Sequence, residues 1–461
     1  MRIAKDPKVD RSLHHSLKDA VAYSVMSGGS ETYFSAFALF LKATASQVAL
    51  LATLPNLLGS LAQLLSAWLG HRLQQRKPII VFGAYSQAAT LPLMILLPWL
   101  FPQQAVPILL VCLTLYYGAA HLIAPQWMSL MGELVPERRR GRFFARRTAL
   151  ATLSSFGALC TGGILLHLFD RLSITLAGFA VLYVVAFGAR LLSAWHLSRM
   201  HEPHLHAASI EPVYDLRWLG QPSFRAALRF SRFFVLFQAA VGISAPFFSV
   251  YMLKTLEFSY LQYTANTGMA VMVQFLTLRY WGRIGDVMGN RLVLMTTGSI
   301  IPALPALWAV SGNFWYLLVV QIISGFCWAG FSLSSGNILY ELIPREKRAT
   351  YQALQNVVMT LGVFLGSMLG VVVTRFVPSR LDLGPLHVDF PTAILWAFLL
   401  STLFRAVVAL WFMPRIQELR EPRRKISPYA LVFRFTRFNA FTGLLYEIVA
   451  RVKKPERDET L

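Results

Sequence analysis

The sequence predicts an all-α membrane protein, with twelve transmembrane helices in two parallel six-helix bundles. Three observations carry this reading. First, 56% of the 461 residues are hydrophobic and only 14% are charged, against roughly a quarter charged in an ordinary soluble domain. Second, the charges are bunched: Asp, Glu, Lys and Arg are absent from Pro78 to Gly132 and from Leu292 to Tyr340. A helix rises about 1.5 Å per residue, so either stretch overshoots a hydrocarbon core of about 30 Å and must fold back once. Turn signals sit near the two centres, Phe101-Pro102-Gln103-Gln104 and Ser311-Gly312-Asn313. Third, the second half of the chain repeats the first.

The expected spans of the first half are 20–41, 46–69, 78–101, 104–127, 148–169 and 173–197, and those of the second half 230–253, 259–281, 292–311, 314–336, 352–374 and 391–413. They divide the chain into a first bundle (1–197), a cytoplasmic linker (198–229), a second bundle (230–413) and a basic tail (414–461). The first 18 residues are polar and do not resemble a cleaved signal peptide.

The net charge of +21 raises the question of nucleic acid, which the placement of the charge answers. With the N-terminus inside, 36 of the 43 Lys and Arg fall on inner segments, counting Arg232 at the mouth of the seventh span. Five fall on outer loops (Lys42, Arg171, Lys254, Arg375, Arg380) and two, Arg190 and Arg405, within spans. This is the asymmetry of the positive-inside rule, with both termini cytoplasmic, and no nucleic-acid partner is expected. The expected location is a plasma membrane of the bacterial inner-membrane kind. Cys112, Cys160 and Cys327 all lie within spans and suggest no disulfide framework. A Walker A loop, an HExxH and paired CxxC motifs are absent. No catalytic constellation stands out, so neither an enzyme nor a cofactor is expected, and transport driven by gradients is favoured.

The internal repeat appears at a shift of about 208 to 215 residues. Glu133-Leu134-Val135-Pro136 with Arg140 matches Glu341-Leu342-Ile343-Pro344 with Arg348, each between the fourth and fifth spans of its half. Ser30 and Phe34-Ser35 match Ser244 and Phe248-Ser249, and Arg190 matches Arg405. Parallel halves related by an axis along the membrane normal place a substrate site between them, near the midplane.

These features together resemble the major facilitator superfamily over nearly the whole chain up to Pro414. The loop "GRIGDVMGNR" is similar to its glycine–aspartate–basic signature, with Gly282, Gly285, Asp286, Gly289 and Arg291 at the matching places. The first-half copy, "GHRLQQRK", has His71 in place of Asp286. The fourth span lacks the arginine of the proton-coupled drug exporters, and Ala158 follows Gly157 where their antiporter pattern has proline. The paired glutamates of peptide symporters and the aspartates of melibiose-type symporters are missing as well. The resemblance implies alternating access and a cavity lined by the first, fourth, seventh and tenth spans. Its candidate residues are Tyr116, Tyr117, His121, Gln238, Gln321, Trp328 and Ser332, joined by Asn56 and Asn266 from neighbouring spans. Aromatic residues here also have an ordinary packing reading, and His121 has one as a histidine satisfied by a neighbouring helix.

Glu31 is the sharpest single feature. It lies about 16 Å along the first span by helical rise, too deep for a short side chain to reach the headgroups. Ser24, Ser27, Gly28, Glu31, Ser35 and Ala38 recur at helical spacing and form one small, polar stripe. Burial favours the neutral form of a carboxyl, which suits such a group to carry protons. Proton coupling or cation binding is the functional reading, and a neutral hydrogen-bonded acid the structural one. Its counterpart in the seventh span is Ala245, followed by Pro246.

Glu133, Arg140, Asp286, Arg291, Glu341 and Arg348 are read as a cytoplasmic gating network. Arg190 and Arg405 join it as repeated scaffold charges, with a substrate-anion role for them as the alternative. His201, His204 and His206 of "HEPHLH" are read as solvated, and no metal site is expected. In the tail, Leu431, Phe435, Phe438, Phe441, Leu445, Ile448 and Val452 keep a helical period beside Arg434, Arg437, Arg451, Lys453 and Lys454. That pattern suits an amphipathic helix on anionic cytoplasmic lipid, with a protein partner as the alternative. The function expected is secondary transport of a small organic solute with a proton. A lipid or amphiphile flippase, and a non-transporting membrane sensor or assembly factor, are the rivals.

Overall fold

The computed structural model describes residues 6–73, 75–136, 139–203, 217–221, 224–344, 347–378, 380–383 and 386–416. His204, His206 and the whole amphipathic pattern of the tail lie outside the described residues. The first half contains α1 (Pro7–Ser30), α2 (Phe34–Phe40), α3 (Ala45–Leu73), α4 (Lys77–Leu100), α5 (Ala105–Leu134), α6 (Arg140–Arg171) and α7 (Thr175–Ser198). The second contains α8 (Arg225–Ser244), α9 (Phe247–Val250), α10 (Tyr260–Met288), α11 (Asn290–Ile300), α12 (Leu304–Val310), α13 (Phe314–Leu342), α14 (Arg348–Phe376) and α15 (Ile394–Phe412). Among the described residues, ten helices are long and apolar enough to cross a membrane, with α8 and α9 counted as one, and α11 and α12 as another. The segments α1–α2 and α10 stand outside that group. They carry more charge and polarity, including Asp10, Arg11, Lys18 and Asp19 in the first and Gln262, Asn266, Arg279 and Arg283 in the second.

Several helices outrun the expected spans. α5 has 30 residues and α6 has 32, with 29 each in α13 and α14. These lengths correspond to about 45 Å. A hydropathy pattern ends where the hydrocarbon ends, whereas the backbone hydrogen-bond ladder continues into the polar layer. The Glu-Leu-Val-Pro segment therefore closes α5 rather than forming a loop, and α6 starts at Arg140.

The all-helical expectation misses one feature. Between α14 and α15, β1 (Arg380–Leu383) pairs antiparallel with β2 (Leu386–Asp389), Arg380 opposite Asp389 and Leu383 opposite Leu386. The runs Arg-Leu-Asp-Leu and Leu-His-Val-Asp alternate polar and apolar residues on either side of Gly384-Pro385, the period of a strand.

Local chemistry sets the ends. Ser259 caps α10 by accepting from the Gln262 amide at 3.3 Å, while the Gln262 side chain accepts from the Ser259 amide at 3.0 Å. This reciprocal box satisfies two orphan donors. Ser259→Ala is expected to cost about 1 kcal/mol, read as a small drop in the melting temperature of the solubilised protein. Gly289, at φ 94°, makes the tight turn from α10 to α11. Lys42 and Glu257, 215 positions apart, both take left-handed backbone (φ 64° and 51°), so the turns after the first and seventh spans repeat as well.

Lipid tails offer no hydrophobic drive for one helix to prefer another, so close packing holds membrane helices together. α1 lies on α6 and α7, α3 on α5, and α4 on α5 and α7. In the second half α8 lies on α14 and α15, and α13 on α10 and α11. Gly28 on α1 meets the Ser155 carbonyl of α6 so closely that a β-carbon would overlap it. Gly366 on α14 meets the Ala239 carbonyl of α8 in the same way. Contacts between halves run along α3 with α14 and α6 with α10.

The apolar core is asymmetric along the membrane normal. At the end where α2 leads into α3, one cluster joins both halves, from Met26, Phe37 and Phe179 to Phe247, Tyr251 and Phe398. At the opposite end the clusters separate by half: Leu13, Ile80 and Leu197 belong to one, Phe230, Leu294 and Met413 to another.

Candidate functional site

The first helical segment, α1–α2, breaks at Glu31. Ser30 leaves the helical region at φ −121°, and Glu31–Tyr33 form a single 3-10 turn before α2 resumes. Ser30 Oγ donates back to the Met26 carbonyl at 2.7 Å, a bond that competes with the helical ladder and bends helices. Glu31 is half-buried. The Tyr116 hydroxyl, fully buried on α5, donates to Glu31 Oε1 at 2.8 Å. Among the described residues Glu31 forms no ion pair. Tyr116 packs edge-on against Phe34 and Tyr117, with ring centroids 5.3 Å apart in each case. Asn56 of α3 donates instead to the Ala52 carbonyl of its own helix at 3.2 Å. Glu31, Tyr116 and Tyr117 thus form one connected group.

Below it lies a charge network that the sequence reading missed. Arg190 of α7 stacks over Tyr23, 5.0 Å from its centroid, and donates from Nη1 to Ser193 Oγ at 2.6 Å. Ser193 Oγ donates to Asp19 Oδ1 at 2.7 Å, and Arg147 of α6 pairs with Asp19 Oδ2 at 3.2 Å. The Arg147 guanidinium covers Trp127 of α5 at 4.1 Å. Asp19 therefore accepts from Arg147 directly and is linked to Arg190 through Ser193. Asp19 lies five residues before Ser24 and so off the stripe of Ser24, Ser27, Gly28 and Glu31, with Ser16 and Ser12 buried farther down the same helix.

Arg405 solves its burial differently. Its Nη2 donates to Ser244 Oγ at 2.8 Å and approaches the Val241 carbonyl at 3.5 Å. Both lie at the C-terminal end of α8, where unpaired carbonyls carry partial negative charge. Pro246, one position after the counterpart of Glu31, interrupts that helix.

The remaining cavity candidates disperse. His121 faces α3, where the Gln63 amide nitrogen lies 2.9 Å from its Nδ1. Asn266 is fully buried on α10 with neither side-chain polar atom hydrogen-bonded. Gln238, Gln321 and Trp328 are half-buried, and Ser332 is exposed with its hydroxyl bonded to the Trp328 carbonyl at 2.8 Å.

The loop charges organise half by half. Arg140 Nη2 donates to the Gly132 carbonyl at 2.7 Å and Arg348 Nη2 to the Tyr340 carbonyl at 2.8 Å, each eight residues back. Glu133 pairs at 2.7 Å with Arg76, which the sequence reading passed over. At nearly the same place in the repeat, Asn290 donates to Glu341 at 3.1 Å. Arg291 reaches the Pro414 carbonyl at 3.3 Å, and Asp286 is exposed near the end of α10. Arg190 and Arg405 lie inside their halves, away from these loop residues.

A profile of the Major Facilitator Superfamily matches residues 20–236 and 230–450. The chain belongs to the major facilitator superfamily. This superfamily member is a multi-pass membrane protein and a transporter. Its fold is similar to that of the nucleoside transporter NupG, with a TM-score of 0.64 and 15% identity over 88% of this chain and 99% of that one. It is similar to a D-xylose-proton symporter, TM-score 0.64 and 13% identity over 91% and 99% of the two chains. A POT family transporter in complex with 5-aminolevulinic acid gives 0.65 and 12% over 89% and 96%. At such identities the likeness concerns the fold. Two curated relatives match short stretches. The hexose transporter HXT9 of Saccharomyces cerevisiae is 32% identical over 85 residues, 18% of this chain and 15% of that protein. The vacuolar membrane amino acid uptake transporter fnx2 of Schizosaccharomyces pombe is 25% identical over 114 residues, 25% and 19% of the two. The superfamily member thus covers less than a fifth of either relative's length in these matches.

Proposed function

We propose that this superfamily member is a proton-coupled secondary transporter of a small organic solute, with Glu31 as the group that takes the proton. The observation that carries the proposal is the state of that carboxylate: half-buried at the break of a helix and held by the Tyr116 hydroxyl, with no ion-paired cation among the described residues. An acid so placed is neutral or ionic according to what reaches it, and it binds either a proton or a substrate donor. Tyr117, packed against Tyr116, and Asn56 of α3 supply further polar contacts to the solute. The solutes named for its relatives, a hexose, xylose, nucleosides and amino acids, indicate the size class.

Alternating access between two six-helix bundles, twelve spans in all, is supported by the parallel repeat and by the asymmetric core. The outer end is closed by one shared apolar cluster while the inner end is divided. This conformation is the inward-open state, with the basic inner loops placing both termini on the cytoplasmic side of a plasma membrane. Glu133, Arg140, Asp286, Arg291, Glu341 and Arg348 steady the cytoplasmic ends of their own halves between states.

The test uses reconstituted vesicles under an imposed pH gradient, with labelled hexose, xylose, nucleoside and amino-acid substrates. Wild type is expected to accumulate one of them above equilibrium. Glu31→Gln is expected to reduce accumulation to simple equilibration while exchange of labelled for unlabelled solute persists. Gradient-driven accumulation at the wild-type level in Glu31→Gln would remove the proton role.

A further inference from the structure

We infer that the three-residue turn Glu31–Tyr33 transmits the state of the acid to the seal at the outer end, with Tyr33 and Tyr263 as the positioning residues that couple the two. The inference rests on Glu31 being the coupling acid and adds to that reading a device built from adjacent residues. Glu31 points to the Tyr116 group, while the next two residues hold the opposite half. The Thr32 carbonyl accepts from the Tyr263 hydroxyl of α10 at 3.0 Å. The Tyr33 hydroxyl donates to the Leu159 carbonyl of α6 at 2.6 Å and, its proton so committed, accepts from Thr264 Oγ1 of α10 at 3.0 Å. Tyr33, Tyr263 and Thr264 are all buried. One turn of backbone therefore joins the acid of the first half to two hydrogen bonds across the divide.

The turn is suited to the task. A 3-10 segment within a helix has poorer hydrogen-bond geometry than the α-helix around it and marks a local alternative conformation. The Ser30 backbone, outside the helical basin, is where such a change is absorbed. Release of the Glu31 carboxyl from Tyr116 removes the bond that tethers the turn at this residue, and the Thr32 carbonyl is the second carbonyl along the chain from Cα31. A shift of a few tenths of an ångström there is enough to misalign a 3.0 Å bond. Lys254, which donates to the Ala43 carbonyl at 2.6 Å, ties the same two halves farther out and has no link to the acid.

The test is a double-mutant cycle on conformation, read without any transport assay. Spin labels at Gln103→Cys and Val310→Cys, exposed on outer turns of the two halves, report the open and closed populations of the outer end. The native Cys112, Cys160 and Cys327 are replaced by alanine in this background. Four chains are compared at one pH: the background itself, Glu31→Gln, Tyr33→Phe with Tyr263→Phe, and all three changes together. Glu31→Gln is expected to change the open-to-closed ratio about fivefold, and the tyrosine pair to raise it by a similar factor. In the combined variant the effect of Glu31→Gln is expected to fall below about twofold, because the link that carried it is gone. Additive effects, or no change on Glu31→Gln alone, would overturn the inference. If the tyrosine pair does not fold, Thr264→Val removes only the hydroxyl that meets Tyr33, and the cycle is repeated with it. Loss of gradient-driven accumulation in Glu31→Gln together with an additive cycle leaves the proton role standing and removes the transmission role alone.

Discussion

Asp19→Ala is expected to destabilise the first half by about 3–5 kcal/mol, the cost of leaving buried charge unpaired. The carboxylate is 4% exposed and accepts from Ser193 at 2.7 Å and Arg147 at 3.2 Å, while Ser193 accepts from Arg190 at 2.6 Å. Removing it leaves Arg147 without its ion pair and Arg190 with Ser193 alone among α1, α5, α6 and α7, and among the described residues neither is ion-paired to another carboxylate. The measurement is unfolding of the solubilised protein by heat or denaturant. Asp19→Ala with Arg147→Met and Arg190→Met should recover much of the loss, because the charges then leave together. A melting temperature within about two degrees of wild type for Asp19→Ala alone would show that the arginines are hydrated rather than held by Asp19.

Gly366→Val is expected to be the most damaging change in the second half. The new β-carbon would occupy the space of the Ala239 carbonyl oxygen, which is backbone and cannot rotate aside. α14 and α8 must then part along a seam that continues at Gly370, against the Ile243 carbonyl. Overpacking of this kind costs about 1–3 kcal/mol when side chains can yield and more when backbone must. Gly366→Ala should behave like a weaker version of the same change, and Gly336→Ala, whose β-carbon has open space, should be silent. Equal yields of monodisperse protein from Gly366→Val and Gly336→Ala would contradict the packing argument.

Much of the architecture is legible in the sequence because a membrane imposes simple rules. The charge-free runs from Pro78 and from Leu292 fold back where the turn signals stand, at Phe101–Gln104 and Ser311–Asn313. The repeat survives in three dimensions at positions as small as Lys42 and Glu257. What escaped reading had physical reasons. Asp19 lies just below the expected start of the first span, where a carboxylate reads as a solvated end residue. Its burial comes from α6 and α7, which a one-dimensional pattern does not show. Arg76 looked like an ordinary inner-loop cation, although it is 1% exposed and paired with Glu133. The β1–β2 hairpin was overlooked because two strands of four residues each alternate too briefly to stand out beside long apolar runs. Glu31 was recognisable as an exception to the apolar rule, yet its neighbour Tyr116 emerged only as one candidate among nine.

The two halves break their first helix at matching places by unlike means, and this has a consequence for how the molecule can move. In the second half the interruption is a proline, whose ring excludes an α-helical hydrogen bond whatever else happens. In the first it is a turn of ordinary residues, Glu31-Thr32-Tyr33, each able to rejoin a continuous helix. The seventh-span bend is permanent and the first-span bend is reversible. A protein assembled from two copies of one design thus keeps a fixed elbow on one side and a joint that can straighten on the other. Only the side that carries the acid owns the joint.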